Sequence, residues 1–247
     1  MEAIKNWIFP TTCLAEAVKI RPASLAFLYR LGCNPWAQSG MTLEKLGILS
    51  GLTTEQIMRE LECLPIPERD THWEEQPVCF LIDYLTAQHR EFIYSDLPAF
   101  KTLLEMPPGR ISGSDLYRLL REAFLHFNIE FQEHMQEEEN HFFPGILRNE
   151  YALRHGGGGL VRPIAEDFLA SERLIDSKDQ ISLALDQWMQ CAEIGDRFRA
   201  GTGRSDIALE AMRELDWKIR THEGLEQERL YPMAARIESE LAANVVH

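Results

Sequence analysis

The sequence predicts an all-α protein: four long helices forming a bundle, preceded by a small helical domain. Three observations carry this prediction. Beyond residue 77 the strand signals are weak, and the apolar residues recur at helical spacing. Breaks at Pro107-Pro108, Gly156 to Gly159 and Gly201-Thr-Gly203 cut that region into four segments. The third observation is a repeat. His134-Met-Gln-Glu-Glu138 and His222-Glu-Gly-Leu-Glu226 stand 88 residues apart, and Pro follows each His ten residues on, as Pro144 and Pro232.

The elements follow in chain order. Residues 1–64 read as short helices. Gly32 closes one of them after Leu25-Ala-Phe-Leu-Tyr-Arg-Leu31, the place where a left-handed glycine ends a helix. Thr53-Thr-Glu-Gln56 opens another with a capping-box pattern, and Ile57, Leu61 and Leu64 form its apolar stripe. Residues 65–76 carry prolines and charges without periodicity, so they read as a linker to the domain at 77–247. Helix A is expected over about 77–105, B over 114–148, C over 163–199 and D over 204–241. The Gly156 to Gly159 run is the loose crossover between B and C. Pro144 and Pro232 should kink B and D just past the repeated motifs.

Residues four apart on a helix share one face. Each copy of the repeat therefore aims an imidazole and a carboxylate the same way. A single His-x-x-x-Glu is more often an exposed pair worth a few tenths of a kcal/mol. Two copies with identical trailing spacing point instead to a site where His134, Glu138, His222 and Glu226 converge, as bundle cores do to hold metal. The register also picks Glu138 out of the run Glu137-Glu138-Glu139. His89 joins them, because Ile82, Leu85, Phe92 and Ile93 frame it on the inward face of helix A. Two facing carboxylates repel at short range unless a cation lies between them. Among the other histidines, His141 is a spare ligand or an outer partner, and His126 is structural. His72 and His247 are solvated, and His155 belongs to the loop beside the glycines. Phe127, Phe131, Trp188 and Trp217 read as core packing.

The formal net charge of −14 disfavours nucleic acid and anionic membrane as partners. No apolar run approaches a membrane span, and the start lacks a signal-peptide plan. The odd set Cys13, Cys33, Cys63, Cys79 and Cys191 forms no close pair, which fits a reducing cytoplasm and no disulfide framework. The sequence leaves a homodimer open.

With these motifs, nearly the whole chain resembles the hemerythrin-like iron–sulfur cluster repair proteins, the repair-of-iron-centres family. The stretches from Leu14 through Cys33-Asn34 and from Met41 to Met58-Arg-Glu-Leu-Glu are similar to its N-terminal domain. The two His-x-x-x-Glu motifs with their prolines resemble its hemerythrin-type bundle. The resemblance implies a non-haem di-iron centre with His89, His134, Glu138, His222 and Glu226 as ligands and the two Glu bridging. It also implies a role in repairing clusters damaged by oxidative or nitrosative stress, with damaged iron–sulfur proteins as partners.

Three departures qualify it. The family's Cys-Cys-Gly-Gly signature falls on Trp36-Ala37-Gln38-Ser39, so thiol redox chemistry does not carry over. Its second helix-A His has no counterpart before Pro107-Pro108. Its helix-C His falls on Ser171, near Asp167 and Glu172, either of which could substitute. Three imidazoles and two carboxylates suffice for one iron, manganese or zinc ion with an open position, or for two ions if both carboxylates bridge and water or another side chain fills in. The function expected is iron binding with nitric oxide or dioxygen chemistry. The alternatives are a divergent, non-catalytic sensor or interaction protein and, less favoured, a carboxylate-rich oxidoreductase.

Overall fold

The computed structural model describes residues 8–64, 72–105, 114–155, 183, 186–188, 190 and 203–245. All regular elements among them are helical, apart from one isolated bridge between Cys13 and Thr42. No helix among them is long and apolar enough to cross a membrane. The chain forms two compact units. The first comprises Met1–Ala87, Glu139–Ala165 and Gln227–His247, and the second Gln88–Glu138 and Glu166–Glu226.

In the first unit lie α1 (Leu14–Ile20), α2 (Ser24–Arg30), α3 (Leu43–Ser50) and α4 (Thr54–Glu62). Helix α2 ends where glycine permits it. Gly32 takes φ 65°, its N–H bonds the Tyr29 carbonyl, and the Cys33 N–H bonds Leu28. Helix α4 begins with the reciprocal cap: the Gln56 N–H donates to Thr53 Oγ1 at 3.1 Å, and the Thr53 N–H to Gln56 Oε1 at 2.8 Å. Ile57, Leu61 and Leu64 are buried. Arg21 ties the end of α4 down, donating to the carbonyls of Leu61 and Leu64 at 2.9 and 2.8 Å. The first-unit cysteines Cys13, Cys33, Cys63 and Cys79 are free thiols.

Glu150 organises the rest of this unit. It is buried on α8 (Phe143–His155) and accepts from the Tyr29 hydroxyl at 3.0 Å. It also accepts from the backbone N–H groups of Val78 at 3.0 Å and Cys79 at 3.3 Å, the first residues of α5 (Val78–Glu91). Arg154 donates to it at 3.2 Å. A helix start has orphan N–H groups, and here a distant carboxylate satisfies two of them. Burial and the Glu150 carboxylate push the Tyr29 hydroxyl far above the ordinary tyrosine value.

The second unit holds α6 (Leu97–Glu105), α7 (Ser114–Glu137) and α9 (Gly203–Leu225). Its core joins Phe92, Phe100, Phe124, Phe127, Phe131 and Trp188 with Met212, Leu215 and Ile219. The rings pack closely. Phe127 stacks on Trp188 with centroids 5.5 Å apart and on Phe131 at 5.4 Å. Burying each of these aromatic side chains contributes on the order of 2 kcal/mol.

Helices A, B and D of the sequence reading are helical throughout their described residues, but each contains one π-helical turn: Phe92–Asp96, Glu138–Phe142 and Glu226–Leu230. Each turn is followed at once by a helix with proline in its second place: Pro98 in α6, Pro144 in α8 and Pro232 in α10 (Tyr231–Val245). Proline lacks an N–H, and its ring clashes with the carbonyl four residues back. A wider turn over those residues relieves the clash. The irregularity expected beyond the ligand motifs therefore lies before the prolines and begins at Glu138 and Glu226 themselves.

Two readings need correction. Trp217 is not core: it is 51% exposed, because the buried face of α9 runs through Met212, Leu215 and Ile219, and Trp217 falls between its members. His155 is not loop. It is the last residue of α8, stacked on Tyr151 with centroids 4.3 Å apart, so the helix runs to the edge of the glycines. Helix C, apart from a few described residues, and the 65–71 stretch of the linker lie outside the described residues.

Candidate metal centre

The two motif-bearing helices carry the same buried stripe. Phe124, Phe127, Phe131, His134 and Glu138 are all buried, and so are Met212, Leu215, Ile219, His222 and Glu226, at the same successive spacings of three and four. Apolar residues fix each helix by this face, and the last two positions of the stripe are polar. The imidazole and the carboxylate are thus carried into the interior by the packing of the phenylalanines and aliphatics one and two turns earlier.

The structure brings together His89, Glu138, His222 and Glu226, whose ligand atoms all lie within 4.8 Å of one another. All four are buried, at 0%, 0%, 1% and 0% exposure. The Nε2 atoms of His89 and His222 are 3.0 Å apart. His222 Nε2 is 3.2 Å from Glu226 Oε1, and His89 Nε2 is 3.5 Å from Glu138 Oε2. His134 is buried as well, but outside this mutual group; its Nε2 faces the other oxygen of Glu138 at 3.3 Å. Glu138 thus presents one oxygen to each of two imidazoles.

This group fits a divalent cation. Separations of 3.0 to 3.5 Å are those of neighbouring ligands around a first-row metal with bonds of about 2.1 Å. Neither oxygen of Glu138 accepts a hydrogen bond among the described residues, although both have no solvent exposure. A buried carboxylate left in that state is costly, and a cation removes the cost. Imidazole with carboxylate is a donor set suited to iron, manganese or zinc. Phe92 and Phe131 pack edge-on at 5.3 Å, and Phe92 also meets the His222 ring at 5.5 Å, so one side of the group is walled by aromatic carbon.

Of the remaining candidates, His141 is exposed in its π turn, not within the group. His126 is also exposed, 4.0 Å from Glu130, and His72 is exposed. Ser171, Asp167, Glu172 and His247 lie outside the described residues. In the first unit, Trp36 packs its edge against Tyr151 at 5.9 Å, and burial pushes the Cys33 thiol up.

One contact at the site escaped the sequence reading. Gln88 Oε1 lies 2.9 Å from His222 Nδ1. A signal for it exists. Pro98 follows Gln88 by ten residues, as Pro144 follows His134 and Pro232 follows His222. The buried residues Val78, Leu81, Leu85 and Phe92 match Phe124, Phe127, Phe131 and Glu138 in that register. The first long helix is therefore a third copy of the pattern, with Gln88 in the His place and Phe92 in the Glu place. Its own imidazole, His89, stands one residue on.

No protein-family model matches the chain, and no curated protein matches it either.

Proposed function

We propose that this chain is a hemerythrin-like metal protein that holds non-haem iron at His89, Glu138, His222 and Glu226. The observation that carries the reading is this fully buried set of two imidazoles and two carboxylates gathered within 4.8 Å. Two carboxylates balance the charge of a divalent ion, and their hard oxygens with imidazole nitrogens favour iron, then manganese. Glu138, with His134 on its far oxygen, supports a second and weaker metal position. The four-helix bundle with a separate N-terminal domain belongs to the same reading, supported by the three long helical runs. So does a role in iron–sulfur cluster repair or in the response to nitric oxide and oxidative stress, which rests on the resemblance of motifs. Bound iron would supply a coordination position for a small diatomic molecule; the chain supplies the ligands, the aromatic wall and the exclusion of water.

A sensor or interaction protein with a reduced site is the second reading. Trp36, packed on Tyr151 where a thiol pair would stand, favours it. Anaerobic loading with Fe(II) followed by nitric oxide separates the two. The first reading expects an iron–nitrosyl absorption and electron-paramagnetic signal that is lost in the His89→Ala, His222→Ala double variant. Iron that is bound but inert to nitric oxide and dioxygen would support the second reading. Failure to bind iron would sink the first.

A further inference from the structure

We infer that Gln88 is a positioning residue for His222, holding that ring in the one tautomer that can ligate a metal; the inference rests on the metal-binding reading above. The geometry is specific. His222 has one ring nitrogen, Nε2, inside the buried group, 3.0 Å from His89 Nε2 and 3.2 Å from Glu226 Oε1. Its other nitrogen, Nδ1, meets Gln88 Oε1 at 2.9 Å. A neutral imidazole carries one proton on one of its two nitrogens. An amide oxygen only accepts, so the pair is made by Nδ1–H donating to Gln88. That leaves the lone pair on Nε2, facing Glu138, Glu226 and His89. In the metal-free protein His89 Nε2–H donates to that lone pair, which accounts for the 3.0 Å contact between two ring nitrogens.

The register of the third copy gives an independent reason. Helix A has the same buried stripe and the same π turn and proline as the two motif helices. At the place where they carry His134 and His222 it carries Gln88, and the neighbouring His89 enters the group. The position that would hold a ligand holds a ligand's partner. Metal-bound histidines usually donate their second N–H to such an acceptor, and losing it weakens binding by about 10- to 100-fold.

The test uses the full chain and two variants, Gln88→Met and Gln88→Glu. Nitrogen-15 NMR of the metal-free wild type should show His222 protonated at Nδ1. In Gln88→Met that preference should be lost, while helix content by circular dichroism stays the same. Affinity for Co(II), measured by its visible absorption against a competing chelator, should fall about 10- to 100-fold in Gln88→Met. It should return to the wild-type level or above in Gln88→Glu, whose carboxylate accepts the same proton. A packing role would lower stability without moving the tautomer, and would not be rescued by Glu. Wild-type His222 protonated at Nε2, or equal Co(II) affinity in wild type and Gln88→Met, would overturn the inference and leave the metal reading standing. A wild type that takes up no Co(II) would remove both.

Discussion

Glu138 and Glu150 are both buried glutamates, at 0% and 3% exposure, yet their surroundings differ completely. Glu150, in the first unit, accepts from a tyrosine hydroxyl, two backbone N–H groups and an arginine. Glu138, in the second, accepts no hydrogen bond among the described residues, and imidazole nitrogens lie 3.3 and 3.5 Å from its two oxygens. The first carboxylate is complete within the protein. It caps one helix from another and is structural. The second has no such partners among the described residues and lies with Glu226, His89 and His222 in a buried group whose ligand atoms, all within 4.8 Å of one another, could hold a cation. Burial alone therefore says little about a carboxylate's role; the partners decide it.

The largest expected effects are opposite at the two places. In Glu138→Ala with Glu226→Ala, divalent metal binding should disappear while helix content stays largely intact, by elemental analysis and circular dichroism. Glu150→Ala should leave the metal affinity of the folded protein unchanged. It should lower unfolding free energy by about 3 kcal/mol, because two backbone N–H groups and a hydroxyl lose their acceptor. A Glu150→Ala protein that loses metal with no loss of stability would break the comparison.

A smaller difference is expected from charge alone. Without metal, Glu138→Gln should change stability by less than about 1 kcal/mol or raise it, since the buried carboxylate has no hydrogen bond to lose among the described residues. With metal at a thousandfold excess over the dissociation constant, the wild type should gain about 4 kcal/mol and the Glu138→Ala, Glu226→Ala protein nothing. Thermal unfolding with and without the ion checks both.

The last effect concerns pH. Tyr29 is held protonated in the fold by burial and by Glu150, whereas in the unfolded chain it titrates near 10. Its contribution is therefore whole below about pH 10 and declines as pH rises above it, by about 1.4 kcal/mol per unit. Denaturant unfolding at pH 8 and pH 11 should show a steeper loss for the wild type than for Tyr29→Phe. Equal losses would mean that the Glu150 centre does not grip the hydroxyl.

What could be read from the sequence was local or repeated. The Gly32 stop, the Thr53 cap and the all-helical class follow from short patterns with a direct backbone cause. The approach of Glu138 to Glu226 was foreshadowed by a repeat, and the phenylalanine stripe behind it keeps that register. Gln88 was hidden because a search for His-x-x-x-Glu cannot see a copy that has neither residue; only the spacing to Pro98 marks it. Glu150 was hidden for another reason. Its partners Tyr29 and Val78 are 121 and 72 positions away, and no local pattern encodes such a contact. Trp217 was misread as one more aromatic core position, although its offset from Leu215 and Ile219 already placed it off the buried face.

Whether the second unit is built around a cation is tested most directly by counting ions. Metal-free protein would be titrated anaerobically with Fe(II), and bound iron per chain measured across the curve. One tightly held ion is expected at the His89, Glu138, His222 and Glu226 group, with any second ion weaker and dependent on His134. Two equally tight ions would contradict the weaker second position, and no bound iron at all would contradict a second unit built around a cation.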